Sequence, residues 1–376
     1  MIYSNLGDNM VQNKEQPIQI LVHAINGGLG HLSRLIAVVE QLRSLSTIPV
    51  LPLFLCEADT RLLDAYSLKY LPIANRDKSL RQGWPYAVPT LNELLIDSIE
   101  TIVSKWSPVM VLHDTHLWEP LVRVATSVRA KQVAIVRNTP TTGHFIAKNI
   151  SLLNEMDLVL FPQDENDVPE CDTGGLISRF EYVGAICRSS PLGFASDIGT
   201  SHGMRVLVTA GGGGINSTES FLLEAATVLK ELRDPQLEVT FVPGPQFTGE
   251  LLFSGLQTVR VLPFVEDMRS LVMQHDIIIC QGGYNTLTEL SYTGRPLICM
   301  PQHLQWDDQT ERIEKFAARY PQFHVAYTRE ELFTNLRKLL SLGKTTNDAI
   351  AESELMFTGA QRAARSILRT LIDKKH

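Results

Sequence analysis

The sequence predicts an α/β protein built from two doubly wound, parallel-sheet domains in tandem. Three observations predict it. Short apolar runs rich in β-branched residues alternate with amphipathic helical stretches, which is the order of βαβ units. One opening, strand then glycine turn then helix, occurs twice, at residues 18–45 and again at 204–232. Between the two halves, residues 188–203 are rich in Ser, Pro, Gly and Asp and carry no apolar period, as a linker does.

The elements follow in order. Residues 1–17 are polar, lack the apolar segment of a secretory signal and read as a flexible N-terminal arm. The first domain spans 18–187. Its first strand, IQILVHA at 18–24, runs into Gly27-Gly28-Leu29-Gly30 and a helix over 31–45. In that helix Leu32, Leu35, Ile36, Val39 and Leu42 recur every three or four residues. A second strand is expected at 50–56, a helix over 89–106, and further strands at 109–113, 132–136 and 156–161. The second domain spans 204–350. Its strand at 204–210 leads into Gly211 to Gly214 and a helix over 216–232, with further strands at 237–242, 258–262, 277–280 and 296–300. The C-terminal segment, 351–376, carries a long helix whose partner its pattern does not identify.

Composition removes several function classes. With 44% apolar and 20% charged residues in 376, the chain can bury a core and is not disordered. Net charge is −7 and neither half is basic, which argues against a nucleic-acid partner. The five cysteines are odd in number and none lie in C-x-x-C spacing. That argues against a disulfide framework and against a zinc site, and fits a reducing, cytoplasmic setting. No run of 18 apolar residues is present, so no stable membrane insertion is expected.

Open parallel sheets bind ligands beyond the carboxyl ends of their strands, so the residues just after strands carry the functional reading. His31 opens the helix after the first strand, where an imidazole acts as a general base or simply decorates the helix start. The glycines before it do not make a dinucleotide fingerprint, because Ser33 stands where Gly or Ala is needed, and no Gly-Lys-Ser/Thr makes a P-loop. His113-Asp114-Thr115-His116 follows another strand of the same sheet. Asp114 there either orients His31 or serves the turn; a metal site lacks further ligands. Gly211 to Gly214 with Asn216, Ser217 and Thr218 forms an anion cradle at a helix start, or an ordinary N-cap. Gln281-Gly282-Gly283-Tyr284-Asn285-Thr286-Leu287-Thr288-Glu289 repeats that arrangement. Its backbone N–H groups suit a diphosphate. Glu289 suits a pair of sugar hydroxyls, or a capping box with Thr286. Pro301 to Gln309 adds amides, carboxylates and Trp306 for a polyhydroxylated ligand, or makes a plain polar loop.

Phe264-Val265-Glu266-Asp267-Met268, then Gly282-Gly283-Tyr284-Asn285-Thr286 with Glu289, then Pro301 and Asp308-Gln309 resemble the donor half of GT-B glycosyltransferases. The resembling group holds the peptidoglycan-pathway N-acetylglucosaminyltransferase and its antibiotic and plant UDP-sugar relatives. Gly27 to His31 resembles the group's first glycine-rich loop; the likeness covers about 18–316 and is specific over 261–309. It implies two Rossmann-like domains facing a central cleft, and an inverting transfer from a UDP- or TDP-sugar to a hydroxyl or amine of a small molecule, in secondary metabolism. No metal and no cofactor beyond the sugar nucleotide is implied. By the resemblance, Phe264 and Val265 meet the base, and Gly213, Gly214 and Ser217 meet the diphosphate from one side. Gly283, Tyr284, Asn285 and Thr286 meet it from the other. Glu289 holds the ribose, Asp308 and Gln309 read the sugar, and His31 is the base, helped by Asp114. Tyr284 departs from the Trp of plant relatives, and the 301–309 loop is longer than theirs. The rival reading is a nucleotide-sugar epimerase or hydrolase on the same scaffold. A binding-only protein is disfavoured by the intact His31 and Glu289, and an oxidoreductase by the missing fingerprint.

Overall fold

A computed structural model describes residues 16–24, 29–56, 60–72, 93–115, 117–137, 145–163, 175–188, 203–250, 256, 258–291, 293–303, 309–343 and 358–372. Two separate parallel sheets organise these residues. The first holds β1 (Ile18–Ala24), β2 (Val50–Cys56), β3 (Tyr70–Pro72), β4 (Met110–Asp114), β5 (Lys131–Ile135), β6 (Leu158–Phe161) and β7 (Phe180–Tyr182), in the order β3-β2-β1-β4-β5-β6-β7. The second holds β8 (Arg205–Thr209), β9 (Glu238–Val242), β10 (Thr258–Val261), β11 (Ile277–Gln281), β12 (Leu297–Met300) and β13 (Phe323–Val325), in the order β10-β9-β8-β11-β12-β13.

The helices of the first half are α1 (Leu29–Leu45), α2 (Arg61–Ala65), α3 (Glu93–Trp106), α4 (Glu119–Ser127) and α5 (Ile150–Leu153). Those of the second are α6 (Thr218–Glu231), α7 (Met268–Met273), α8 (Tyr284–Ser291), α9 (Gln309–Arg319) and α10 (Arg329–Leu342), followed by the C-terminal α11 (Thr358–Ile372). The doubly wound reading is therefore the observed architecture. Central strands such as β4 and β11 are buried at every position, as expected when helices cover both faces. Three short edge strands, β3, β7 and β13, were not foreseen; at three residues each they are too short to show a period.

The order in which strands are added reverses between β1 and β4 in the first sheet and between β8 and β11 in the second, with all strands parallel. Each reversal opens a crevice at the strands' carboxyl ends; His31 follows β1 and Asp114 ends β4 at the first, and Ser217 and Glu289 follow β8 and β11 at the second. The register places His23 beside His113, so α1 and the residue after His113 start from the same edge. Helix α11 returns to the first sheet: Ala360, Ala363, Ala364 and Ile367 join the core of Leu35, Val39, Leu42, Leu112 and Ile135. Its small residues let it approach closely, and a Cβ on Gly359 would overlap the Ala185 carbonyl oxygen. Among the described residues no helix is long and apolar enough to cross a membrane. Gly27, Gly28, His116, Asp308 and linker residues 189–202 lie outside the described residues.

Candidate active site

Asp114 ends β4 completely buried, and three side chains converge on its carboxylate. His31 Nδ1 lies 2.7 Å from Oδ1. Arg34 donates from Nη2 to Oδ1 at 2.7 Å and from Nε to Oδ2 at 2.9 Å. The Thr115 hydroxyl donates to Oδ1 at 2.9 Å. Burial alone would push the Asp114 carboxyl up; the Arg34 guanidinium and the bonds from His31 and Arg34 outweigh it and hold it down at about 2. A carboxylate only accepts, so Nδ1 of His31 carries the proton and Nε2 is left as the basic nitrogen. Arg34 Nη2, 3.0 Å from Nδ1, is then a neighbour and not a donor to it. Thr115 has φ of 60°, a left-handed conformation costly for a β-branched residue. Its N–H to Ile135 O at 2.7 Å and its hydroxyl bond hold it there.

The pairing of His31 with Asp114, expected only from order along the chain, is thus a direct contact. Arg34 was missed. The available signal was its spacing, three residues after His31 on one face of α1.

In the second half, the loop after β8 and the start of α8 meet: a Cβ on Gly211 would stand 3.1 Å from the Thr286 hydroxyl. Ser217 occupies the N-cap position of α6 but makes no cap bond. Its Oγ, like that of Thr218, is shielded and has no partner among the described residues. Simple capping therefore does not explain Ser217. The glycines have a structural cause as well. Gly213 has φ of +74°, and a Cβ there would overlap the Pro243 carbonyl oxygen; one on Gly214 would overlap the Gln246 amide. Gly213 is needed to seat the 243–247 loop, whose backbone it meets, whereas Gly214 meets only the movable Gln246 side chain. Gly283 is different, since a Cβ would make only ordinary contact, 3.5 Å from the Thr286 hydroxyl.

Helix α8 begins at Tyr284, so Glu289 lies in its second turn. A capping box needs its glutamate at the third helical residue, which is Thr286, and that alternative falls. Glu289 is half-buried. Burial pushes its carboxyl up, Arg188 opposes this and Asp267 adds to it. Arg188 itself donates to the Ser33 hydroxyl at 2.7 Å and to Glu266 O at 3.2 Å, drawing α1 and the 264–267 loop together.

Several expected ligand-binding side chains bridge the two halves. Tyr284 donates to Pro162 O at 2.6 Å, with the Arg137 guanidinium 4.8 Å from its ring centre. Burial pushes its hydroxyl up to about 12, against the Arg137 charge. Asn285 donates to Gly30 O at 2.8 Å and accepts from Arg34. The Phe264 ring carries the Arg61 guanidinium at 5.1 Å and packs against the first core, whereas Val265 packs against a core of the second half. Gln309 is buried, and its Oε1 accepts from Gly282 N at 3.1 Å and Gln302 N at 3.0 Å. With Arg312, which donates to Gly282 O at 2.7 Å, it fixes the glycine turn before α8.

Residues 205–366 match the glycosyltransferase family 28 C-terminal domain. A UDP-N-acetylglucosamine--N-acetylmuramyl-(pentapeptide) pyrophosphoryl-undecaprenol N-acetylglucosamine transferase of Acinetobacter baumannii is 39% identical over 61 residues, 16% of this chain and 17% of that one. The aligned part is thus about a sixth of that relative's length. The glycosyltransferase SnogD from Streptomyces nogalater superposes with a TM-score of 0.62 at 17% identity, over 94% of this chain and 100% of that one. A UDP-GlcNAc 2-epimerase from Neisseria meningitidis bound to UDP-GlcNAc superposes with a TM-score of 0.58 at 12% identity, over 95% and 100%. The chain thus has the GT-B fold, and its residues 205–366 match the glycosyltransferase family 28 C-terminal domain.

Proposed function

We propose that this protein is an inverting, metal-independent glycosyltransferase that moves a sugar from a UDP- or TDP-sugar to a hydroxyl or amine of a small-molecule acceptor. One observation carries the reading. A His31–Asp114 pair, its carboxylate buried, at the crevice of the first sheet faces the N-terminus of α8 at the crevice of the second, with Asn285 bonded across to Gly30. In this reading the acceptor hydroxyl gives its proton to His31 Nε2 as its oxygen attacks the anomeric carbon. The bond from that carbon to the diphosphate breaks, and the nucleoside diphosphate leaves with the electron pair. Attack opposite the leaving group inverts the centre. The N–H groups of Gly283 to Thr286, the 211–214 loop and the unpartnered Ser217 hydroxyl receive the departing charge. The positive ends of two helices supply what a cation otherwise would. Asp114 holds the ring and balances the imidazolium. Glu289 takes the ribose hydroxyls, with Phe264 and Val265 at the base and Asp308 and Gln309 towards the sugar. The family 28 match, and the Acinetobacter relative named for a UDP-sugar donor, support the donor assignment.

The test joins titration calorimetry with UDP and TDP to assays of UDP-sugars against an acceptor panel. His31→Ala should lower kcat by about 10²–10⁴-fold and leave nucleotide affinity unchanged. Near-normal turnover of that variant would remove His31 as the base. Isomerised UDP-sugar in place of a glycoside would establish the epimerase reading.

A further inference from the structure

Arg34 lies one helical turn from His31 on the same face of α1, with its side chain 4% exposed. Its donors are divided between the two halves of the molecule. Nε and Nη2 grip Asp114 of the first half, and Nη1 reaches Asn285 Oδ1 of the second at 3.1 Å. Asn285 donates back to Gly30 O at 2.8 Å. Both ends of one amide are therefore held by α1, one just before His31 and one just after. Only a planar fork serves these partners together; a lysine ammonium is a point charge and cannot.

The Asp114 Oδ1 atom is crowded. His31 Nδ1, Arg34 Nη2 and Thr115 Oγ1 all lie within 2.9 Å of it. A carboxylate oxygen offers about two lone-pair directions, so three donors compete. The bond from Nη1 to Asn285 adds a third restraint to a guanidinium already forked on Oδ1 and Oδ2, and so bears on how Oδ1 is shared with His31.

We propose that Arg34 and Asn285 form a latch between the two halves, which holds them closed and aligns His31 on Asp114 only in the closed form. Arg34 is thus a positioning residue. The catalytic part of this inference rests on the transferase reading; the closure part does not. When the halves part, Asn285 leaves Arg34, the fork on Asp114 loses that restraint and shifts on Oδ1, and the imidazole loses its orientation. The base is thereby complete only when the cleft is closed around its substrates.

The test uses Asn285→Ala, Arg34→Lys and the double variant, each first checked by thermal melting. Spin labels at Val128→Cys and Leu342→Cys, exposed by 47% and 64%, report the separation of the halves in a Cys171→Ser background without nucleotide. The four described native cysteines are buried. The parent should show one narrow distance distribution, and Asn285→Ala a longer and broader one. In turnover, each single variant should lose about tenfold to a hundredfold in kcat, the worth of a bond to a charged group. The double variant should be within about threefold of the worse single one, because both break one device. Unchanged distances in Asn285→Ala would overturn the latch whatever the chemistry. So would multiplying losses together with weakened UDP binding, which would make Asn285 a plain diphosphate ligand. If no UDP- or TDP-sugar turns over, the transferase reading fails, and the distance measurement still decides closure.

Discussion

Asp114 shows how a single buried charge is made tolerable. Removing one partner of a buried pair costs about 3–5 kcal/mol, because the remaining charge is stranded. Asp114→Asn should therefore destabilise the protein by that amount at neutral pH, stranding Arg34. The folded carboxyl, at about 2, lies below its ordinary 3.8, so its stabilising contribution is complete above about pH 4 and fades as pH falls towards 2. The shift corresponds to about 2 kcal/mol. Urea melts of both proteins should show a stability difference that shrinks between about pH 4 and pH 2. A pH-independent difference would mean that the carboxylate charge is not what Arg34 and His31 hold.

Glu289 has the opposite sign. Its carboxyl is raised by burial, so its charged form opposes folding, and that penalty grows as pH rises through its folded value. Glu289→Gln should therefore melt higher than the parent, by a margin wider at high pH than at low pH. It should at the same time lose about tenfold or more in UDP affinity, the cost of a hydrogen bond to a charged group. A variant that is both less stable and unaltered in binding would make Glu289 a structural residue.

Among the elements, the two glycine loops look alike in sequence and differ in cause. Gly213 answers to the 243–247 backbone that packs on it and also needs its positive φ. Gly213→Ala should destabilise by about 1–3 kcal/mol from the strained backbone alone, with overlap added. Gly283→Ala meets only ordinary contacts, so it should melt within about 0.5 kcal/mol of the parent. If α8 presents its N-terminus to a diphosphate, the added methyl should still weaken UDP binding. Thermal melts beside calorimetry separate the two loops. Equal effects on stability and none on binding would reduce both to scaffold.

Across the whole molecule, the chain does not stop at its second half. Helix α11 crosses back and sets Ile367, fully buried, into the first core beside α1. Ile367→Ala should cost about 2–4 kcal/mol, a cavity in a packed core. The loss should be seen as a lower melting transition of the first half, followed by hydrogen exchange at β1, β2 and β4. Protection lost at β8 and β11 instead would show that α11 stabilises the other sheet. Arg188 performs a smaller crossing at the near end of the linker region, joining Ser33, Glu266 and the surroundings of Glu289.

The sequence by itself determined the two-sheet α/β architecture, because apolar strands buried on both faces and period-3.6 helices are local patterns. It placed β1, β2, β9 and β11 to within a residue or two, and it found the strand-end segments that carry His31, Asp114, Ser217 and Glu289. It failed for β3, β7 and β13, which exist because longer neighbours offer them an edge. It left open whether Glu289 caps its helix, since that depends on where α8 starts, a matter of one turn. Arg34 was illegible as a site residue because an arginine on a helix face is ordinary until a buried carboxylate stands opposite it. The same holds for Tyr284 and Asn285, whose partners lie more than a hundred residues away. Spacing reports which residues share a face; only the packed fold decides which faces meet, because burial and charge compensation are properties of pairs.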